Sequence, residues 1–285
     1  MAVSRTLAQK PTVTSPSESG LTLHARSYDV TFAVVVPDRD MLVDVSRALV
    51  PWAKLDSGST PTLEFEIRRN RAETGQPYTV LQNSEPVFEH PDRSVVLNGL
   101  EAAIQHAVAC ESSGYTFVHA GVVAIAGCGV VIPGPSLSGK STLICALVNA
   151  GAVYYSDEFA VLDPGGRIYP FRRQPHLRTD VADASPGVSW RGLSGELTPL
   201  SQTVILACEY VPGSHWQSKR VTPGDGLLKM MANTVSARTR PIAAMRSLAN
   251  LASMACSVVA FRGEARDAVP GVIALVEAAC NTCIH

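Results

Sequence analysis

From Gly129 to Ala150 the chain passes through three textures. An apolar run, Gly129-Val130-Val131-Ile132, leads into Gly134-Pro135-Ser136-Leu137-Ser138-Gly139-Lys140-Ser141. A mostly apolar stretch from Thr142 to Ala150 follows. The octapeptide matches G-x-x-x-x-G-K-[ST] in full, and that pattern has meaning where a strand enters it and a helix leaves it. Each fixed residue answers a physical demand. Glycines permit positive φ, so that backbone N–H groups can converge on phosphate oxygens. Lys140, expected on an exposed loop, is placed to reach β- and γ-phosphates, and the Ser141 hydroxyl to hold magnesium, a cation that prefers oxygen. The helix start, Ser141-Thr142-Leu143, turns its positive end to the same anion. Gly134, Pro135, Ser136, Leu137, Ser138, Gly139, Lys140, Ser141 and Thr142 are therefore the expected nucleotide-binding residues, with ATP and Mg2+ as the expected cofactors.

Two features lie near this loop in the chain. Asp157 and Glu158 interrupt an apolar run that reads as one strand from Ala152 to Leu162. Adjacent carboxylates there are costly unless they serve a cation or a proton. In a strand their side chains face opposite ways, so one could hold magnesium while the other accepts a hydroxyl proton. The plainer alternative is a strand end with both carboxylates in water. His119 sits in Phe117-Val118-His119-Ala120-Gly121, and taken alone a strand histidine is more often structural than reactive.

The totals narrow the setting. With 24 basic and 25 acidic residues the net charge is −1, which leaves no electrostatic footprint for nucleic acid or an anionic membrane. Hydrophobic residues at 46% and charged residues at 17% require a folded core. The seven cysteines are odd in number and mostly flanked by apolar residues, the pattern of reduced thiols in a cytoplasm. Cys280 and Cys283 have CxxC spacing, a weak zinc signal without two further ligands. Pro11 and Pro16 break any secretory pattern in the first residues. The apolar zone from Tyr115 to Pro133 is long enough to tempt a membrane reading. His119, Gly121, Gly127 and Gly129 interrupt it, and buried strands explain it better. The expectation is a cytoplasmic protein.

Periodicity divides the chain into a tail or loosely attached strand (1–26), a small α+β unit (27–112) and an α/β unit carrying the octapeptide (113–285). In the first unit, Val30 to Val36 reads as a strand and Asp38 as the cap of a helix ending near Leu49. Leu63, Phe65 and Ile67 alternate with charges as a half-wet strand. Strands over Tyr78–Leu81 and Pro86–Glu89 flank a turn at Asn83-Ser84. Asp92 opens a helix with its stripe at Val96, Leu100, Ala103, Ile104, Ala107 and Val108. In the second unit, strands are expected at Phe117–Ile125, Val130–Pro133, Val204–Tyr210 and Ser257–Arg262, with a turn at Gly165-Gly166. Helices are expected at Ser141–Ala150, Leu227–Val235, Ala243–Met254 and Val272–Cys280.

Val118-His119-Ala120, the octapeptide and Ser156-Asp157-Glu158, in that order, resemble the HPr kinase/phosphorylase family and its looser bacterial relatives, over about residues 115 to 265. That family shares its nucleotide fold with ATP-dependent phosphoenolpyruvate carboxykinase. The resemblance implies a P-loop kinase core of the HPr kinase C-terminal type. His119 matches the family's histidine beside the active site, where the negative charge of a neighbouring carboxylate is expected to favour the imidazolium. Asp157 and Glu158 match its paired aspartates, one of them the base for a substrate serine. Here the second carboxylate is Glu, one methylene longer, and which of the two is the base stays open. The implied catalytic set is His119, Lys140, Asp157 and Glu158, with Ser141 and Asp157 on the metal. Trp190-Arg191-Gly192-Leu193 resembles the family's E-I-R-G-L segment, but Ser189 stands where its magnesium-binding glutamate would fall, against a reverse, dephosphorylating activity. Arg238-Thr239-Arg240-Pro241 loosely resembles a late arginine loop. Arg172, Arg173 and Arg178 form either a basic edge or a clamp for an acidic substrate. The family assembles into hexamers, so the resemblance implies a homo-oligomer.

The resemblance implies transfer of the ATP γ-phosphoryl group to a hydroxyl, serine on a peptide or small protein. Some relatives phosphorylate lasso-peptide precursors. A small-molecule kinase on the same scaffold and a nucleotide-binding regulator with little catalysis are the alternatives. The chain is short for a carboxykinase and shows no manganese-ligand set.

Overall fold

The computed structural model describes residues 20–56, 58–69, 78–135, 138–172 and 197–282. Among these the chain forms two mixed β-sheets and six α-helices. The tail to residue 19, Ser136, Leu137, Arg173, Arg178, the 189–193 segment and Cys283 of the CxxC pair lie outside the described residues.

The first sheet is built from β1 (Leu21–Ser27), β2 (Val30–Val36), β3 (Lys54–Leu55), β4 (Leu63–Arg69), β5 (Tyr78–Gln82) and β6 (Glu85–His90), in the order β3-β1-β2-β4-β5-β6. β1 takes in the last residues of the segment read as a tail. Leu21, Leu23 and Ala25 alternate with Thr22, His24 and Arg26 as a strand with one wet face does, but the Ser, Thr and Pro residues before them mask the pattern. β2 and β4 run parallel, so their connection crosses over, and α1 (Arg39–Leu49) fills it. Asp38 caps α1 by accepting the Met41 N–H at 2.8 Å. Asn83 and Ser84 turn between β5 and β6 with φ of 48° and 70°, the left-handed pair that two-residue hairpins require. α2 (Arg93–Glu111) starts at the Asp92 cap and buries Val96, Leu100, Ile104 and Val108.

The second sheet contains β7 (Thr116–Ile125), β8 (Cys128–Pro133), β9 (Val153–Ser156), β10 (Phe159–Leu162), β11 (Ile168–Tyr169), β12 (Thr203–Tyr210), β13 (Gln217–Arg220) and β14 (Cys256–Arg262). Its path is β11-β10-β7-β8-β12-β14-β13, with β9 also on β7. β8, β12 and β14 are mutually parallel, so their carboxyl ends share one edge. One face packs on α3 (Lys140–Asn149) and α6 (Ala265–Thr282) through Val130, Ile132, Leu206 and Ala260 against Leu143, Leu147, Val272 and Val276. The other packs on α4 (Pro223–Met231) and α5 (Pro241–Met254) through Val131 and Ile205 against Met230, Leu248 and Leu251. The apolar zone once open to a membrane reading is β7 and β8. No described helix is long and apolar enough to cross a membrane.

Three expectations are corrected. The strand expected over 152–162 is split: β9 and β10 both pair antiparallel to β7, and Asp157-Glu158 forms a bend between them. Ser156 Oγ causes the break by accepting the backbone N–H groups of Glu158 and Phe159 at 3.1 and 3.0 Å. α4 begins four residues before Leu227, because Thr222 and Asp225 form a reciprocal capping box with Pro223 at the first position. α6 begins at Ala265 rather than Val272 and carries Pro270 inside it.

Candidate functional site

The site lies where β8 leaves the sheet. Gly134 continues the pairing with β7 by donating its N–H to His119 O at 3.3 Å. The chain then loops and enters α3 through Gly139, whose φ of 81° is left-handed. A Cβ on Gly139 would lie 2.6 Å from an Arg262 nitrogen, and one on Gly134 2.9 Å from Ser138 Oγ. Gly139 therefore answers both φ and close approach, and Gly134 close approach alone. α3 has no side-chain cap at its start, so its first N–H groups remain available to an anion.

Lys140 was expected on an exposed loop. It is instead the first residue of α3 and only 9% exposed. Its ammonium donates to the carbonyls of Gly134 and Pro135, each at 2.7 Å. The side chain thus folds back across its own loop. Burial lowers its pKa, while Glu158 and Asp157 push it the other way. Both carboxylates are therefore close enough to Lys140 for their charge to be felt there.

The bend between β9 and β10 presents the two carboxylates differently. Asp157 is 5% exposed, and its Oδ1 accepts the Tyr154 hydroxyl at 2.8 Å. Glu158 is half-buried, and its Oε1 lies 3.4 Å from Nδ1 of His119. His119 is fixed by backbone on both sides: its N–H donates to Asn233 O at 2.7 Å, and its carbonyl accepts from Gly134. Thr234 bridges to Val118, which brings the segment after α4 against the site. The Phe159 ring packs beside the imidazole, with ring centroids 4.8 Å apart.

The neighbouring negative charge was expected to favour the imidazolium. The balance falls the other way. Burial lowers the His119 pKa, Glu158 raises it by less, and the Lys140 charge adds to the lowering. A neutral ring offers one donor and one acceptor nitrogen.

His119, Lys140, Asp157 and Glu158 are therefore brought together. Ser141 and Thr142 open α3 behind Lys140, both half-buried. The late arginines are not all part of this cluster. Arg240 donates to the carbonyls of Cys110 and Glu111 and so closes the end of α2. Two contributors escaped the sequence reading. Tyr154 holds Asp157, and its signal was only an i,i+3 spacing. Arg262 donates to Gly139 O at 2.9 Å from the end of β14, and nothing in the sequence links it to a loop so far away. No protein family, curated protein or solved structure matches the chain.

Proposed function

We propose that this chain is a magnesium- and ATP-dependent kinase of the HPr kinase type, moving a γ-phosphoryl group to a hydroxyl, serine on a peptide or small protein. The observation that carries the reading is the convergence of a buried lysine, two carboxylates and a histidine at the mouth of one glycine-bounded loop. Phosphoryl transfer needs a phosphate cradle, a metal ligand and a proton acceptor, and little covalent chemistry from the protein.

The residues present fit a magnesium nucleotide. A Cβ at Gly134 would crowd Ser138 Oγ and one at Gly139 would crowd Arg262, so the loop's path depends on both glycines. The Lys140 ammonium is held by two neutral carbonyls, and an anion would hold it more strongly. Gly134 to Ser141 would bind the phosphates, with Ser141 and Asp157 on the metal. A bound magnesium nucleotide supplies the transferable phosphoryl group and neutralises its charge. Tyr154 orients Asp157 for that role. Glu158, the carboxylate beside His119, accepts the acceptor hydroxyl's proton, and the neutral imidazole steadies or shares it.

Incubation with γ-labelled ATP, magnesium and a panel of serine peptides and small hydroxyl compounds tests this directly. The expected result is label on a serine hydroxyl, appearing roughly 100-fold more slowly in Glu158→Gln. Nucleotide binding with no transfer to any hydroxyl would discard the kinase and favour a nucleotide-binding regulator.

A further inference from the structure

The sheet order sets the two sides of the loop apart. β7, with His119, and the β9–β10 bend, with Asp157 and Glu158, lie on one side of β8; β12 and β14 lie on the other. In open α/β sheets a ligand occupies the crevice beyond the carboxyl ends of the parallel strands. A nucleotide whose reacting end meets the carboxylates must therefore extend its nucleoside over the ends of β12 and β14.

Those ends carry a built surface. Tyr210 closes β12 and Arg262 closes β14, paired side by side in the parallel register and so on the same face of the sheet. That face is the one covered by α3 and α6, since Leu206 and Ala260 share its parity. Arg262 is only 4% exposed, unusual for a cation. Its guanidinium donates to Gly139 O at 2.9 Å and to Gly263 O at 2.9 Å, and its Cζ lies 5.3 Å from the centroid of the Tyr210 ring. Tyr210 is 43% exposed, and its hydroxyl donates to Glu264 at 3.0 Å. Val211 N–H donates to Arg262 O at 2.8 Å, which pins the chain leaving β12 at this edge. The result is an aromatic ring backed by a buried cation that is itself bonded to the loop's glycine.

We infer that Tyr210, backed by Arg262, is a stacking platform for the nucleobase of a bound nucleotide. This rests on the proposed nucleotide site and adds to it the seat of the nucleoside. Aromatic stacking is tolerant of base identity because every base has a π-face.

Binding of magnesium ATP and of magnesium tripolyphosphate to the full chain separates the two ends of the ligand. Tyr210→Ala should weaken ATP about tenfold and leave tripolyphosphate within twofold, while Tyr210→Phe binds both as wild type does. Lys140→Ala should weaken both ligands. If Tyr210→Ala fails to fold, Tyr210→Leu, which keeps bulk over Arg262 without a π-face, carries the same comparison. Equal loss for the two ligands, or no loss for ATP, overturns the platform while leaving the nucleotide site standing. A wild-type chain that binds neither ligand overturns both.

Discussion

At the scale of single residues, Lys140 and His119 show charge and burial in competition. Lys140→Ala removes the cation and two hydrogen bonds to carbonyls of the loop. Each such bond from a charged donor is worth about 1.5–3 kcal/mol, offset by no longer burying an ammonium, so the fold should survive while nucleotide affinity falls at least tenfold. Isothermal calorimetry beside a thermal melt checks both halves. The carboxylates divide by their partners. Asp157→Asn should weaken magnesium-nucleotide binding, and Glu158→Gln should bind nucleotide normally yet transfer roughly 100-fold more slowly, the scale of a lost general base. Transfer undiminished in both variants would place the base elsewhere. For His119, burial holds the folded pKa below the ordinary value of about 6.5. The unfolded chain then takes up its proton first as pH falls. The stability contributed by the neutral ring is complete above about pH 6.5 and is lost as pH drops from there through the folded pKa. Melting temperatures from pH 8 to 5 should fall more steeply for wild type than for His119→Gln.

At the scale of elements, what was legible depended on whether the deciding interaction was local. α1, α2 and the Asn83-Ser84 turn stand close to their expected places because Asp38, Asp92 and two turn residues act within a few positions. The break at Asp157-Glu158 is also local, but it depends on the Ser156 hydroxyl choosing two backbone donors over the ladder. Alternating polarity does not reveal that choice. β3, β11 and β13 were not anticipated. Two are dipeptides, and β13 is exposed throughout, so no apolar pattern marks them. The carboxylates and His119 could be listed from the sequence, but not the Tyr154 contact, which needs the bend after Ser156, or the Arg262 contact, which follows from sheet order. Glycines show the same divide. Gly127 and Gly166 both have positive φ, 82° and 84°. A Cβ on Gly127 meets nothing within 4 Å, whereas on Gly166 it would lie 2.4 Å from the backbone nitrogen of Leu251 in α5. Gly127→Ala should cost about 1–2 kcal/mol and Gly166→Ala roughly 3 kcal/mol. Denaturant midpoints of equal size for the two would show that α5 can yield.

At the scale of the whole molecule, the octapeptide's unit does not keep its core to itself. The cluster built on the first sheet and α2 also contains Phe117, Phe159 and Val161 from the second, and Phe171 just after β11. Tyr28, in the β1–β2 turn, donates its hydroxyl to Pro170 O at 2.8 Å and meets Tyr115, Phe117 and Phe171 with ring centroids 4.8 to 6.4 Å apart. Burial raises the Tyr28 pKa, so the phenol stays protonated as that donor. Phe171 also stands 5.5 Å from the Trp52 ring and 5.4 Å from Phe159, while Phe159 touches His119. The first sheet thus supports, through two rings, the strand that holds the imidazole. Phe171→Ala should cost about 3–5 kcal/mol, the range for emptying a buried aromatic site. Because the lost contacts join both sheets, unfolding should stay a single transition with a lowered midpoint, and the fluorescence of the three tryptophans should follow the backbone circular dichroism. Two separated transitions, with one unaffected by the substitution, would show that the sheets are independent and that the aromatic cluster does not couple them.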